Sequence, residues 1–229
     1  GMKGGIALLL EKERTLVAEF GRKLLAEGLT RGTGGNLSVV DRHAGLAAVK
    51  PSAVAYPEAG PGDIAVVALE GRQVDGPWHP SSETPMHLAL YRGRPDVGAV
   101  VHTHSPFATT FACLGREIPA VHYLLAMAGG RVPCTPYAPF GTEELARSAL
   151  AGIGGGHAVL LGHHGLVAVG AGMEEAFAVA WAVEFAAEIA WRASCLGTPP
   201  EIPRAMMEDA VARMARYGRS ASAGNEGSR

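Results

Sequence analysis

Apolar residues Ile6, Leu9, Leu16, Phe20 and Leu24 recur close to the helical repeat and stop at Gly28, which predicts an opening amphipathic helix over residues 6–27. Leu37–Val40, Leu46–Val49 and Ile64–Leu69 are β-prone runs parted by Gly, Pro and Asp clusters, and read as three strands with tight connections. The pattern then mixes element types. A helix over Glu83–Tyr91 precedes an apolar strand over Val97–His102, and Ser105-Pro106 supplies the N-cap and first-turn proline of a helix over Phe107–Leu114 that Gly115 ends. Ile118–Val121 and Val132–Thr135 read as short strands, Thr142-Glu143-Glu144 opens a helix with acids in its first turn, and Ala158–Leu161 and Leu166–Val169 read as strands. Along Glu174–Leu196, Phe177, Trp181, Phe185 and Ile189 stack at i+4 beside a narrow stripe of Glu184 and Glu188; a helix so apolar is expected to pack on the domain's own sheet. Residues 203–217 form a last helix, and residues 218–229 read as a disordered tail. No repeat or long linker divides the chain, so residues 1–217 read as one α/β domain.

Composition narrows the partners. The 229 residues are 48% hydrophobic, ample for a core, and 20 Lys+Arg against 22 Asp+Glu leave a formal charge of −2. That balance argues against a nucleic-acid surface or a polybasic membrane patch and points to a small partner. The apolar run Ile6–Leu10 is too short for a signal segment or a membrane span. Cys113, Cys134 and Cys195 are odd in number, with no C-x-x-C, and read as buried free thiols of a reducing, cytoplasmic compartment. All nine histidines fall between His43 and His164, which is where chemistry is expected.

Val100-Val101-His102-Thr103-His104 ends an apolar strand in two histidines at i and i+2, on one face and roughly 6.5 Å apart at Cα, a suitable bite for one metal ion. Leu161-Gly162-His163-His164-Gly165 offers a third ligand; alternation puts the two histidines on opposite faces and does not choose between them. Glu83, after Pro80-Ser81-Ser82, completes a set that suits Zn²⁺, with Mn, Co and Fe(II) also compatible. His43, His79, His87 and His157 have no partner at ligand spacing and read as solvent-facing or hydrogen-bonded structural residues. Gly32-Thr33-Gly34-Gly35-Asn36 is neither a Walker A loop nor G-x-G-x-x-G, but its backbone N–H groups suit an anion, and Pro51-Ser52-Ala53 and Pro80-Ser81-Ser82 add hydroxyls. Of the four lysines only Lys50 could serve a Schiff base, and no G-x-S-x-G occurs, so metal-assisted chemistry is favoured.

These motifs, GTGGNLSV, PSSE with HLALYRGRP behind it, VVHTH, IPAVHYLLAMAGG, PYAPFGTEEL and LLGHHGLVAV, together resemble the class II zinc-dependent aldolases of the L-fuculose-phosphate aldolase type, within the aldolase/adducin-head superfamily. The resemblance covers nearly the whole chain. It implies a single α/β domain with a central, mostly antiparallel sheet flanked by helices on both faces, and one Zn²⁺ per subunit on Glu83, His102, His104 and His164. It further implies Glu83 as base, Tyr123 from a neighbouring subunit as proton donor, and Gly35, Asn36, Ser52, Ala53, Ser81 and Ser82 as the phosphate loops. Phe140 and Tyr217 match aromatic residues closing the substrate side, and a homotetramer with sites at subunit interfaces follows. Ala53 departs from the family's glycine; where the backbone requires positive φ, alanine costs about 1 kcal/mol. The implied reaction is retro-aldol cleavage of a ketose 1-phosphate, L-fuculose 1-phosphate or a close 5- or 6-deoxy analogue, to dihydroxyacetone phosphate and a short hydroxyaldehyde such as lactaldehyde. The alternatives are a sugar-phosphate 4-epimerase or sugar-acid phosphate decarboxylase of the same superfamily, and a non-catalytic adducin-head-like scaffold.

Overall fold

The computed structural model describes residues 8–52 and 54–223, with side chains up to Arg216. Helix α1 (Glu11–Ala26) leads into β1 (Asn36–Asp41), β2 (Leu46–Val49), β3 (Ala65–Ala68) and β4 (Gln73–Asp75). Then come α2 (Thr84–Gly93), β5 (Ala99–Thr103), α3 (Pro106–Cys113), β6 (Cys134–Thr135), α4 (Glu143–Ile153), β7 (Ala158–Leu161), β8 (Gly165–Gly170), α5 (Met173–Leu196) and α6 (Arg204–Ala223). The strands form one eight-stranded sheet in the order β4-β3-β2-β1-β5-β8-β7-β6, antiparallel throughout except for the parallel pair β6–β7. This is the α/β sheet with helices on both faces that the motifs imply.

Two apolar layers sandwich the sheet. Val17, Phe20 and Leu24 of α1 pack with Val183 and Ala187 of α5 and with Val101 on one face. Met86 and Leu90 of α2 and Leu145 and Ala149 of α4 pack against Val100, Val159 and Val167 on the other. Alternation along β5 therefore sends Val100 and His102 toward α2, and Ala99 and Val101 toward α5. Because α2 and β5 meet on one face, the acid at the start of α2 and the histidine at the end of β5 reach the same point.

Several boundaries differ from the pattern, each for a local reason. Ile118–Val121 forms no ladder; with isolated bonds such as the Ile118 N–H to the Val132 carbonyl at 3.4 Å and the Ile202 N–H to the Ala120 carbonyl at 2.8 Å, it runs as loop into the 3₁₀ turn Tyr123–Ala128. Only Cys134–Thr135 of the second short run pairs, and β4 lies in a polar stretch with no apolar alternation to announce it. Along α5 the packing face is the small one, Ala176, Ala180, Val183, Ala187 and Ala190, which lets the helix sit close on the sheet. The aromatic stripe turns aside, and Trp181 stacks on Phe185 at the surface. Helix α6 runs past residue 217 to Ala223; the remainder of the expected tail, like Ile6 of the first helix, lies outside the described residues. The cysteines are unpaired, but Cys113 and Cys195 are exposed rather than buried. No helix among the described residues is long and apolar enough to cross a membrane.

Candidate metal centre

Four side chains from three places in the chain converge at the end of β5. One ligand atom from each of Glu83, His102, His104 and His164 lies within 4.8 Å of every other. Glu83 is the N-cap residue of α2, yet its carboxylate makes no cap bond and turns to the histidines instead. Glu83 Oε2 stands 3.1 Å from His102 Nε2, Glu83 Oε1 stands 3.3 Å from His164 Nε2, and the Nε2 atoms of His102 and His104 are 3.0 Å apart.

Local backbone explains each placement. His102 Nδ1 donates to the Leu166 carbonyl at 2.9 Å, which leaves Nε2 of the neutral ring as a bare lone pair aimed at the cluster. The connection from β7 to β8 is a turn rather than extended chain: His164 N–H donates to the Leu161 carbonyl at 3.0 Å, and His163 takes a left-handed φ of 57°. That turn decides what alternation left open. His164 joins the cluster, while His163 points across to Tyr137, with ring centroids 6.3 Å apart. Glycine permits the convergence, since a Cβ on Gly35 (φ +67°) would lie 2.5 Å from the His102 carbonyl oxygen. The glycine-rich loop is thus shaped first by its approach to the histidine strand.

The electrostatics suit a cation. Burial alone would push Glu83 up, but the charge and hydrogen bond of His102, with His164 and Asn36, hold its carboxyl well below the usual range. His104 and His164 are each lowered to about 4, by burial first and then by the charge of His102. His102 moves the other way, as its pairing with Glu83 outweighs its burial. Above about pH 5 the cluster therefore offers an ionised carboxylate and at least two neutral imidazoles. Glu83 Oε1 is buried with no hydrogen-bond partner among the described residues. Three imidazole nitrogens and a carboxylate converging on one point, once the proton that His102 shares with Glu83 is displaced, fit a divalent ion of the zinc type.

The other expected residues do not all share one place. Asn36, Ser81 and Ser82 lie beside the cluster, and Ser52 stands against Pro80 at the start of the Ser81-Ser82 loop. The Pro51–Pro80 bridge lays the two serine loops side by side, Ser81 N–H donates to the Lys50 carbonyl, and Asn36 Nδ2 donates to Ser81 Oγ at 3.0 Å. Ser82 and Phe140 line an open cavity of about 340 Å³ with Glu83, His104, Tyr137, Ala138, His163 and His164, and Phe140 is largely exposed. Tyr123 is not among those lining residues; it is 54% exposed on the 3₁₀ turn that packs against α5 and α6. Ala53 and the side chain of Tyr217 lie outside the described residues.

Sequence reasoning missed Tyr137 and His163 as cavity residues and Lys50 as a buried cation. Lys50 Nζ lies 4.6 Å from the centre of the Tyr56 ring, and burial lowers it to about 8. Its signal was its place just before Pro51-Ser52.

A family model described as the class II aldolase and adducin N-terminal domain matches residues 15–191, three quarters of the length with every cluster ligand inside. The chain belongs to this class II aldolase family. A 5-deoxy-D-ribulose 1-phosphate aldolase of Bacillus thuringiensis serovar kurstaki is 45% identical over 92% of this chain and 99% of its own. A 5-methylthioribulose-1-phosphate/5-deoxyribulose-1-phosphate aldolase of Rhodospirillum rubrum is 44% identical over 87% of this chain and 90% of its own. The L-fuculose phosphate aldolase of Escherichia coli K12 is 40% identical over 71% and 74%. Among solved structures, an L-fuculose 1-phosphate aldolase superposes with a TM-score of 0.88 at 38% identity, covering 91% of this chain and 98% of its own. The class II aldolase is therefore an enzyme of sugar-phosphate metabolism, a carbon–carbon lyase.

Proposed function

We propose that the chain cleaves a ketose 1-phosphate between C3 and C4 by a metal-dependent retro-aldol reaction, with a 5-deoxypentulose 1-phosphate as the preferred substrate and L-fuculose 1-phosphate as the runner-up. The observation that carries the reaction class is the Glu83, His102, His104, His164 cluster. The choice of sugar rests on the higher identity and coverage of the 5-deoxyribulose 1-phosphate relative over the fuculose-phosphate one. A five-carbon 5-deoxy substrate would release acetaldehyde, whereas a six-carbon 6-deoxy substrate would release lactaldehyde; both leave dihydroxyacetone phosphate.

In this reading Glu83, His102, His104 and His164 hold the ion, zinc by ligand type. A divalent ion there supplies Lewis-acid stabilisation of the negative charge that bond cleavage leaves on the three-carbon fragment. Asn36, Ser52, Ser81, Ser82 and the backbone at Gly35 and Ala53 bind the phosphate and so set which carbon faces Glu83. Glu83 takes the C4 hydroxyl proton, the C3–C4 electron pair stays with C3, and the same carboxyl returns the proton to C3. Tyr123 of a second copy donates to the aldehyde oxygen in the synthetic direction, which makes the enzyme an oligomer, a homotetramer by family. The exposure of Tyr123, Trp181 and Trp191 supports self-association. Phe140 and Tyr217 close the substrate side. The cytoplasm is its proposed location.

The test is a panel of ketose 1-phosphates and 5-phosphates given to the zinc-loaded protein, with dihydroxyacetone phosphate and aldehyde assayed separately. Release of both from 5-deoxyribulose 1-phosphate supports the reading. Epimer formation without cleavage, loss of carbon dioxide from a sugar-acid phosphate, or a metal-free inert protein would each replace it with one of the alternatives.

A further inference from the structure

A polar seam runs from Glu83 into the protein along the contact of α2 with β1. Glu83, His87 and Tyr91 recur at i+4 on one face of the helix, and Asn36 and Ser38 recur at i+2 on the facing side of the strand. They interlock in order. Asn36 Nδ2 donates to Glu83 Oε2 and to Ser81 Oγ, each at 3.0 Å. Asn36 Oδ1 lies 2.5 Å from His87 Nε2, His87 Nδ1 lies 2.6 Å from Ser38 Oγ, and Ser38 Oγ lies 2.6 Å from the Tyr91 hydroxyl. His87 and Ser38 are fully buried, and Tyr91 is 1% exposed.

Donor bookkeeping fixes the direction of every bond. The amide oxygen of Asn36 only accepts, so His87 Nε2 carries the ring proton; Nδ1 is then a lone pair that takes the Ser38 hydroxyl hydrogen, and Ser38 Oγ accepts from Tyr91. A flip of the Asn36 amide would set its oxygen against the Glu83 carboxylate and its nitrogen against the His87 N–H, two repulsive contacts in place of two bonds. Both Asn36 N–H groups are already used, one on Glu83 and one on Ser81. Ser81 Oγ also accepts from the Glu83 N–H at 3.2 Å, so its own hydrogen is left for a ligand.

We propose that His87 is a positioning residue: its Nε2–H locks the Asn36 amide so that one nitrogen holds both Glu83 Oε2 and Ser81 Oγ, tying the Glu83 carboxylate to the serine loop. The inference rests on the reading of that loop as the phosphate site. Phosphate oxygens arriving there compete for the Asn36 N–H, and Glu83 Oε2 loses the bond that holds it. Phosphate binding and release of the carboxylate are thereby coupled through one amide.

The experiment compares His87→Leu and His87→Gln in the full-length zinc-loaded protein, reading zinc affinity by chelator competition, the rise in Tm on adding inorganic phosphate, and KM and kcat separately. His87→Leu is expected to weaken zinc about tenfold, the low end of the range for a lost partner of a metal-bound group because it acts through Asn36, and to abolish the phosphate-induced rise in Tm. His87→Gln, whose amide N–H takes the place of Nε2–H, is expected to recover most of both at a similar cost in Tm. Wild-type zinc affinity and phosphate response in His87→Leu, or equal impairment of both variants in step with Tm, would overturn the proposal. Where His87→Leu fails to fold, Ser38→Ala decides: about tenfold weaker zinc supports the role, and wild-type affinity removes it. A wild-type protein that cleaves no member of the sugar-phosphate panel would sink the aldolase reading by itself, while the zinc comparison would still judge His87.

Discussion

Gly165 stands directly against Thr103: a Cβ on Gly165 would come within 2.3 Å of the Thr103 carbonyl oxygen and 3.1 Å of the His104 ring. Thr103 separates the two strand histidines, and Gly165 follows His164, so this backbone contact sets the spacing of three of the four cluster residues. Gly165→Ala must push β8 from β5 at their ends. The expected cost is about 1–3 kcal/mol of stability, or about 2–4 °C in Tm per kcal/mol, with bound zinc falling well below one ion per chain. Calorimetry and metal analysis of the same sample check it; full zinc occupancy would mean that the ligands adjust independently of the backbone.

Metal affinity should rise with pH through the raised His102 value. The raised His102 keeps a proton in the metal-free protein above the ordinary histidine value, and an ion must displace it, so affinity falls as pH drops through that raised value. The lowered His104 and His164 are already neutral there and add a further loss only toward about pH 4. Chelator competition should show binding weakening up to about tenfold per pH unit below that raised value, with one proton released per ion. A profile that weakens only toward about pH 4, with no proton released above that, would contradict the His102–Glu83 pairing.

Glu83→Gln keeps the side-chain shape and an oxygen toward the cluster but removes the base. Turnover is expected to fall about 10²–10⁴-fold with zinc retained, though held more weakly. A variant with the wild-type rate would exclude Glu83 from proton transfer.

Chelation should abolish activity and lower Tm, because the metal-free cluster leaves Glu83 Oε1 buried without a hydrogen-bond partner among the described residues. Zinc at about 100 times its dissociation constant should restore about 2.7 kcal/mol. Parallel reloading with Mn, Co and Fe(II) ranks the ions by recovered rate, and recovery with Mn alone would reject zinc as the working metal.

Glu184 caps a helix it does not belong to. Its carboxylate accepts from the Phe107 and Ala108 N–H groups at 2.9 and 2.8 Å, at the start of α3. Ser105 holds the N-cap position, but its hydroxyl pairs with Thr103 Oγ1 instead. Glu184→Ala should therefore cost about 1 kcal/mol or somewhat more, read as a drop in Tm, whereas Ser105→Ala should leave the cap intact.

Much of this protein could be read from the chain alone, because the signals were periodic or local. Apolar repeats announced α1 and α5, β-prone runs most of the sheet, and Thr142 with its following acids the start of α4; paired histidines at i and i+2 announced the metal strand; glycines marked the turns where backbone comes close. The failures have a physical cause in common. Strand β4 has no apolar alternation, the alanine face of α5 was hidden behind the louder aromatic stripe, and Glu184 looked like an idle polar residue because its partners lie far away in the chain.

The choice of His164 over His163 on physical grounds needed the left-handed turn, and the link from Glu83 through Asn36 to His87 needed α2 laid on β1. Sequence determined which residues carry lone pairs, charge and apolar surface, since these are properties of single side chains and their spacing. Only the tertiary structure decided which of them face one another, because register and layer packing bring together atoms that no local pattern relates.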